Sequence, residues 1–261
     1  METKKIPARA DVPEKDKWAI HDLFASDDDW RAALAKAKEF LPRITAYRGR
    51  LAESGETLLS FFRLDDEISL AFDALVHYAQ RRSDEDTRVA AYQEMVSQVT
   101  RFAVEIQSAA AFETPELLAI SDAEMDRLYA EAPALDGNEV PTEIYRNLID
   151  AVHRSFAPMY RYVALRKKLL GVDELHMYDL YVPVVDGVEM KFTFEEAKEI
   201  ALKALAPLGE DYLNLLREGF DNGWIDVYEN EGKRSGAYSA GARVHPYVLL
   251  NFHGTLDDVF T

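Results

Sequence analysis

Histidine spacing is the first test for metal chemistry in this sequence, because a helix that binds zinc usually carries two histidines four residues apart, often with a glutamate between them. The chain has six histidines, and no two of them stand four residues apart. His77 and His153 fall in apolar helical stripes, where a position in the core or at its rim is expected. His245 and His253 flank a predicted strand and are better candidates for contact with a substrate. The spacing therefore predicts no metal ligands within these residues.

The stretch NEGKRSGAYS, residues 230–239, invites comparison with a phosphate-binding loop. That loop needs a glycine five positions before its Gly-Lys pair and a serine or threonine directly after it, whereas this stretch has Val227 and Arg234 there. We therefore expect a hairpin turn with basic residues at its tip. Gly236 is of interest for another reason, because a glycine beside a strand lets a second backbone approach closely, as an edge strand that receives an extended peptide requires.

Acidic residues are abundant, and several of them are adjacent in the chain. In so acidic a sequence most such pairs are solvated helix faces or helix caps rather than acid-base catalysts. No serine occupies a nucleophile elbow and cysteine is absent, so any hydrolysis would be metal-assisted. The pairs are Asp65-Asp66, Glu195-Glu196 and Asp257-Asp258, the last of them in the first turn of a terminal helix.

Composition excludes several classes of partner. The formal net charge is -17, which repels phosphate backbones and anionic lipid surfaces, so neither nucleic acid nor a membrane is an expected partner. The absence of cysteine is compatible with a reducing compartment, and the charged N-terminus lacks the apolar core of a signal peptide. We therefore expect a cytoplasmic protein.

Apolar spacing predicts long helices in the first half of the chain. Residues 30–41, 61–79 and 89–106 carry apolar side chains at intervals of three and four, with charged residues opposite, as in a helical bundle. Ser26 and Ser83 are the expected start signals of the first and third of these helices. The pattern indicates three antiparallel helices joined by short loops.

The second half mixes helices with short strands. Residues 131–141 form a Pro-, Gly- and Asn-containing stretch that predicts a boundary between domains 1–134 and 135–261. Beyond it a helical stripe ends at Gly171, and aromatic and β-branched residues at 176–185 favour extended structure. Thr193 and Glu196 predict a capping box. Strands are expected at residues 224–230, 236–239 and 247–251, followed by a turn at Gly254 and a helix that opens at Thr255.

Several separated motifs, in the same order, resemble the oligoendopeptidase F group of the M3 zinc metallopeptidases. They are LHMYDLYVPVV, EGKRSGAYS, HPYVLLNFHGTLDDVFT and VPTEIYRNLIDAVHRSF, and the likeness covers almost the whole chain. The resemblance implies a mainly α fold, with a helical bundle arm, a helical channel wall and a small β-sheet near the C-terminus. It also implies cleavage of short peptides inside a deep channel.

The resemblance further implies which residues bind substrate and where zinc binds. In family members the helix that begins with a segment similar to TLDDVFT continues into His-Glu-x-x-His, which binds zinc and activates water, and this sequence ends before that motif. Zinc is thus expected in full-length members and not in this chain, which we expect to be inactive alone. Gly236, Ala237 and Tyr238 are the positions implied to contact a peptide backbone, and His245 and Pro246 would shape the neighbouring wall.

One departure and one alternative accompany this resemblance. Family members usually carry a long additional helical stretch near Leu135-Asp136, where the two flanking segments nearly touch here. The alternative function is a non-catalytic helical module that binds peptides or a partner chain. In that case we expect exposed apolar residues such as Val248, Leu250 and Val259 to drive self-association or pairing with a C-terminal fragment.

Overall fold

The computed structural model describes residues 5–135, 142–184 and 190–260. The chain divides into two compact units, one formed by Met1–Ala134 with Lys191–Thr261 and the other by Leu135–Met190. Within the described ranges, no helix is long and apolar enough to cross a bilayer. The fold is mainly α, with a small three-stranded sheet near the C-terminus, as the resemblance implies.

Helices make up most of the first unit. Those before residue 135 are α1 (Asp27–Ala37), α2 (Phe40–Thr45), α3 (Gly55–Glu85), α4 (Ala90–Ala110), α5 (Glu113–Ala119) and α6 (Asp122–Glu131). In the second unit α7 spans Thr142–Leu170. After residue 190 the first unit continues with α8 (Phe194–Ala204), α9 (Glu210–Asp221), β1 (Ile225–Asp226), β2 (Tyr238–Gly241), β3 (Pro246–Leu249) and α10 (Asp257–Phe260).

Polar caps fix where the helices begin. The Ser26 hydroxyl accepts a hydrogen bond from the Asp29 N–H at 3.1 Å, and the Ser54 hydroxyl does the same for Thr57 at the start of α3. Thr193 and Glu196 form the predicted capping box of α8, with reciprocal bonds of 3.2 and 2.8 Å. Each bond satisfies a backbone donor that the first helical turn would leave unpaired.

Helix α3 is the centre of the helical bundle and packs against α1, α4 and α6. The core between these helices contains Trp30, which is fully buried and donates its indole N–H to the Leu75 carbonyl oxygen at 2.9 Å. At the other end of α3, Gly55 lies against the end of α6, where an added Cβ would clash with the Leu128 carbonyl oxygen. The other buried members of the bundle core are Leu34, Ala37, Leu75, Tyr78, Ala79, Met95, Val99 and Phe102.

Three expectations about helix and strand bounds were wrong. The stripe at residues 30–41 is divided between α1 and α2, because Pro42 in the first turn of α2 has no N–H to continue the helix from α1. Ser83 does not begin a helix but lies near the end of α3, where its hydroxyl accepts from the Gln93 side chain at 2.9 Å. Residues 176–184 are not extended throughout, since Met177–Tyr181 forms a 3-10 helix; Val185 lies outside the described residues.

Arg166 explains the local structure at residues 177–181 within the second unit. Its guanidinium donates to the carbonyl oxygens of Asp179 at 3.1 Å and Val182 at 2.6 Å, so both carbonyls are satisfied without a partner strand. The Asp179 carboxylate accepts from the His176 N–H at 2.8 Å and caps the turn. Side-chain hydrogen bonds thus outweigh the β-propensity of these residues.

Candidate functional site

The three strands form a sheet in the order β1-β3-β2. Strand β3 lies in the centre, parallel to β1 and antiparallel to β2. In the antiparallel pair Tyr238 lies opposite Leu249, and Ala240 lies opposite Tyr247. Strand β2 is therefore an edge strand among the described residues, and one of its sides is free of strand partners.

Hydrogen bonds on β3 show which backbone groups of β2 face outward. The N–H groups of Val248 and Leu250 donate towards β1, at 2.8 and 2.9 Å. Because backbone groups alternate in direction along a strand, Tyr247 and Leu249 direct theirs towards β2. Their partners on β2, Ala240 and Tyr238, face inward in turn.

Ser239 and Gly241 therefore present their N–H and C=O groups at the open side of β2. Both residues are exposed. Unpaired backbone donors and acceptors along an edge strand are the groups that bind an extended chain by strand addition. This side of the sheet can accordingly pair with a peptide.

The opposite edge of the sheet is covered by the N-terminal segment. The Val227 N–H donates to the Asp16 carbonyl oxygen at 3.0 Å, and the Trp18 N–H approaches the Asp226 carboxylate at 3.4 Å. The Trp18 indole N–H also donates to the Val248 carbonyl oxygen at 2.9 Å. Strand β1 thus has its outer side occupied by the chain itself.

Gly236 and Ala237, two of the implied peptide contacts, lie exposed immediately before β2. Gly236 has a φ of 87°, a conformation that side chains with a Cβ rarely adopt, although a Cβ there would meet no atom within 4 Å. Glycine is required here for its backbone conformation and not for a lack of space.

Tyr238, the third implied contact, uses its side chain internally. Its hydroxyl donates to Asp84 Oδ2 at 2.6 Å, and the Arg81 guanidinium lies 5.1 Å from the centre of its ring. Burial, together with the hydrogen bond to Asp84, raises the pKa of Tyr238 well above its ordinary value. The phenol is therefore a neutral link between β2 and the end of α3.

His245 and Pro246 lie at the start of β3 and differ in exposure. The His245 ring is buried and stacks on Trp224, with parallel planes and ring centres 4.9 Å apart. Its Nε2 atom lies 3.1 Å from Asp22 Oδ2, and its Nδ1 atom lies 2.9 Å from the Pro246 carbonyl oxygen. Pro246 itself is exposed. His245 is therefore a packing residue of the interior, while Pro246 lies on the surface, and their role in a substrate wall stays a prediction.

The chain between β3 and α10 is held by a helix cap. Asp258 Oδ2 accepts from the N–H groups of Thr255 at 2.9 Å and His253 at 3.0 Å, and the Thr255 hydroxyl accepts from the Asp258 N–H at 3.4 Å. Partial burial alone would raise the pKa of Asp258, but these backbone hydrogen bonds hold it below its ordinary value. Gly254 makes the predicted turn, with a φ of 92°.

The apolar residues expected on an open face near α10 are largely covered. Leu250 is 5% exposed and packs with Phe194, Val227 and Phe252, while Val248 and Val259 are half-buried against the same cluster. For Leu250 the expectation was wrong, because α8 packs on α10 and closes the space beside the sheet.

Lys233 was expected at an exposed turn, and its side chain is instead buried. Its side chain is 1% exposed, and its Nζ atom lies 2.8 Å from Asp226 Oδ1. The sequence carries no local signal for this pair, because Lys233 stands in a polar stretch and Asp226 in a short strand. Their proximity depends on how the turn folds back over the sheet.

Zinc ligation requires several side chains that converge on one ion. Among residues 5–135, 142–184 and 190–260, no three His, Asp or Glu side chains come together as a metal site. These residues do not fit the zinc that the M3 resemblance implies for full-length members.

Comparisons with known proteins agree with the motifs. The model of Peptidase family M3 matches residues 78–261. Oligopeptidase PepF of Bacillus subtilis is 28% identical over 384 residues, covering 98% of this chain and 57% of that protein. An oligoendopeptidase F homolog of Borreliella burgdorferi is 42% identical over 130 residues, which cover 49% of this chain and 22% of that protein. A crystal structure from Chlamydophila abortus shares the fold, with a TM-score of 0.77, 22% identity, and coverage of 98% of this chain and 64% of that one.

These relatives are longer than the chain. It spans 57% of the Bacillus subtilis protein and 64% of the chromosomal oligoendopeptidase F of Lactococcus lactis. The first of these alignments runs over 384 residues although the chain has 261, so that relative carries more than a hundred residues with no counterpart here. The position of the missing stretch near Leu135 stays a prediction. The family model matches more than two thirds of this chain, and the relatives that it resembles are of the oligoendopeptidase F type. The chain therefore belongs to peptidase family M3.

Proposed function

We propose that this chain forms the helical arm and the substrate-aligning sheet of an oligoendopeptidase F-like zinc metalloendopeptidase that hydrolyses short peptides. The observation that carries the proposal is the free side of β2, which lies in the same small sheet as the strand that leads to α10. The names of the relatives, oligopeptidase and oligoendopeptidase, support peptides as the substrate class. The division into an N-terminal helical domain, 1–134, and a catalytic portion, 135–261, is part of the same proposal.

A peptide would bind by adding a strand beside β2. The outward N–H and C=O groups of Ser239 and Gly241 would pair with its backbone, and Ala237 and Gly236 would lie at one end of the added strand. Backbone pairing makes no demand on side-chain identity, which suits an enzyme that accepts varied short peptides. The formal charge of -17 favours cationic peptides among them.

The zinc ligands and the general base are proposed to lie in a part of the protein outside these residues. The greater length of the relatives supports this assignment. When bound in the complete protein, zinc would lower the pKa of its water for attack on a peptide carbonyl. The residues of this chain would hold the peptide extended. We expect neither stoichiometric zinc by metal analysis nor cleavage of a quenched fluorescent peptide by the chain alone, and finding both would contradict the proposal.

Substitution at Ser239 tests the edge strand directly. Proline at this position removes the outward N–H and leaves the bonds between β2 and β3 intact, because those bonds belong to the neighbouring residues. We expect Ser239→Pro to weaken binding of a fluorescein-labelled heptapeptide of alternating valine and lysine by at least about tenfold. Ser239→Ala keeps the N–H and should bind like the unaltered chain. Equal affinity of the two variants in fluorescence anisotropy would exclude strand addition at β2.

A second candidate is a non-catalytic module that binds a partner chain, a C-terminal fragment of the same protein or a second copy of itself. Large apolar side chains exposed in the second unit favour it, among them Leu148, Tyr160, Leu169, Met177, Tyr178 and Tyr181. Sedimentation velocity across a range of concentrations separates self-association from a monomer. Restored peptidase activity on mixing with a second chain would favour a divided enzyme over this module.

A further inference from the structure

We infer that Lys233 is a positioning residue for the peptide-binding edge: its side chain and that of Asn251 fasten the turn before β2 to the end of β3. The inference rests on the proposed function, because the edge that they position is the one proposed to bind the peptide.

The Lys233 side chain lies where β1 and β3 cease to pair. Its Nζ atom donates to the carbonyl oxygens of Tyr228 at 2.7 Å, Asp226 at 3.1 Å and Leu250 at 2.5 Å, and it lies 2.8 Å from Asp226 Oδ1. These acceptors belong to the end of β1, the turn that follows it and the residue after β3. A single ammonium group therefore joins three segments beside the ends of β1 and β3.

The carboxylate beside Lys233 is shared with a second cation. Arg9 contacts Asp226 Oδ2 at 2.5 Å and Glu85 Oε1 at 2.9 Å, so the carboxylate has a positive group on each oxygen. Burial lowers the pKa of Lys233, and the adjacent Asp226 carboxylate opposes that shift. Buried charges of this kind are costly to leave unpaired, which keeps the arrangement in one geometry.

Asn251 makes the reciprocal connection. Its Nδ2 atom donates to the carbonyl oxygens of Gly236 at 2.8 Å and Arg234 at 3.1 Å. A side-chain amide has two hydrogens, and both are used here. The turn thus donates to the end of β3 through Lys233, and the end of β3 donates back to the turn through Asn251.

These two connections fix the position of β2 and the position of the chain that leads to α10. Strand β2 begins at Tyr238, two residues after Gly236, and the chain beyond Asn251 leads through Gly254 into α10. An apolar side chain at position 233 would leave the carbonyl oxygens of Tyr228 and Leu250 without a donor and would remove one of the two cations beside the Asp226 carboxylate. The edge that receives the peptide and the approach to α10 would then move independently.

The absence of cysteine allows a direct test of the ammonium group. In a Lys233→Cys chain the single thiol can be alkylated under denaturing conditions with 2-bromoethylamine, which restores an ammonium at nearly the length of lysine. Alkylation with 1-bromopropane gives a side chain of the same length that ends in a methyl group. The two refolded proteins differ at one terminal group.

Hydrogen exchange and peptide affinity are the readouts. In the propyl protein we expect the inward amides of Tyr238 and Ala240 to exchange at least about tenfold faster, and the valine-lysine heptapeptide to bind at least about tenfold more weakly. The aminoethyl protein should return both values to within about threefold of the unaltered chain. Equal values for the two alkylated proteins would overturn the inference.

Asn251→Leu keeps the test decisive if the propyl protein does not fold. Asn251 is only half-buried, so its replacement should leave the fold intact while removing both donors to the turn. Faster exchange of the β2 amides is expected, and unchanged exchange would overturn the inference. Failure of the unaltered chain to bind the heptapeptide would reject the proposed function, whereas the exchange measurement would still report on Lys233 and Asn251.

Discussion

Replacing Tyr238 by phenylalanine isolates one connection between the sheet and the helical bundle. The substitution removes the hydroxyl that donates to Asp84 Oδ2 at 2.6 Å and retains the ring, whose centre lies 6.4 Å from that of Trp18. Apolar packing is therefore conserved, and the change in the free energy of unfolding measures the hydrogen bond.

The expected loss in the free energy of unfolding follows from the surroundings of the acceptor, Asp84. Asp84 is 2% exposed, so water cannot replace the lost donor at Oδ2. Arg234 still contacts Oδ1 at 3.3 Å and keeps the carboxylate partly compensated. A hydrogen bond to a charged group contributes about 1.5–3 kcal/mol, and we expect Tyr238→Phe to lower the free energy of unfolding by about 2 kcal/mol.

Urea unfolding followed by tryptophan fluorescence suits this measurement. The three tryptophans, Trp18, Trp30 and Trp224, all lie in the unit formed by Met1–Ala134 and Lys191–Thr261, so the signal reports on the unit that contains Tyr238. The slope of the transition should be unchanged while its midpoint falls.

Tyr129→Phe is the matched control. Tyr129 is 42% exposed, and its hydroxyl makes no hydrogen bond to any described residue. Its removal should change the free energy of unfolding by less than about 0.5 kcal/mol. A loss of the same small size in Tyr238→Phe would refute the assignment of Tyr238 and Asp84 as a stabilising pair.

Two further predictions concern helix packing and pH. Gly55→Ala should lower the free energy of unfolding by about 1–3 kcal/mol in the same urea assay, because the new methyl group clashes with the end of α6. This loss is expected although alanine favours helix over glycine. Gly241→Ala is the control and should leave the free energy of unfolding unchanged, because its methyl group meets no atom within 4 Å. Burial would raise the pKa of Asp27, but hydrogen bonds from Tyr78 and Arg82 hold that pKa below its ordinary value. The stability that the Asp27 carboxylate contributes is therefore present above the ordinary pKa and is lost as pH falls through the folded pKa. The difference in unfolding midpoint between the unaltered chain and Asp27→Asn should therefore shrink as pH falls below about 4, the ordinary pKa of an aspartate, and a constant difference would contradict this account.

Local sequence signals predicted the elements of this fold well where their cause was local. The cap at Ser26 and the capping box at Thr193 depend on residues three positions away, so the sequence contains the whole interaction. Gly254 and Gly171 were predicted for the same reason, since a positive φ is a property of one residue. The prediction of a helix start at Ser83 was wrong because the partner of Ser83, Gln93, lies ten residues away on another helix.

The candidate site could be predicted only in part, because its contacts are long-range. Motif resemblance predicts a site at Gly236 to Tyr238, but no local pattern indicates that Asp84, 154 residues earlier, binds the Tyr238 hydroxyl. Lys233 likewise owes its hydrogen bonds to Asp226 and Leu250, which come close to it only because the turn folds back over the sheet. A buried lysine and an exposed one look alike in sequence.

The order of the strands decides which edge of the sheet is open to strand addition. With β3 in the centre, the sheet has two edges, and the N-terminal segment covers the one formed by β1 through Asp16 and Trp18. Had that segment been elsewhere, both edges would attract other chains, and an unprotected edge is prone to aggregation. In the proposed function, covering β1 and leaving Ser239 exposed on β2 would confine strand addition to one place, the side of the sheet whose turn is fastened to the approach to α10.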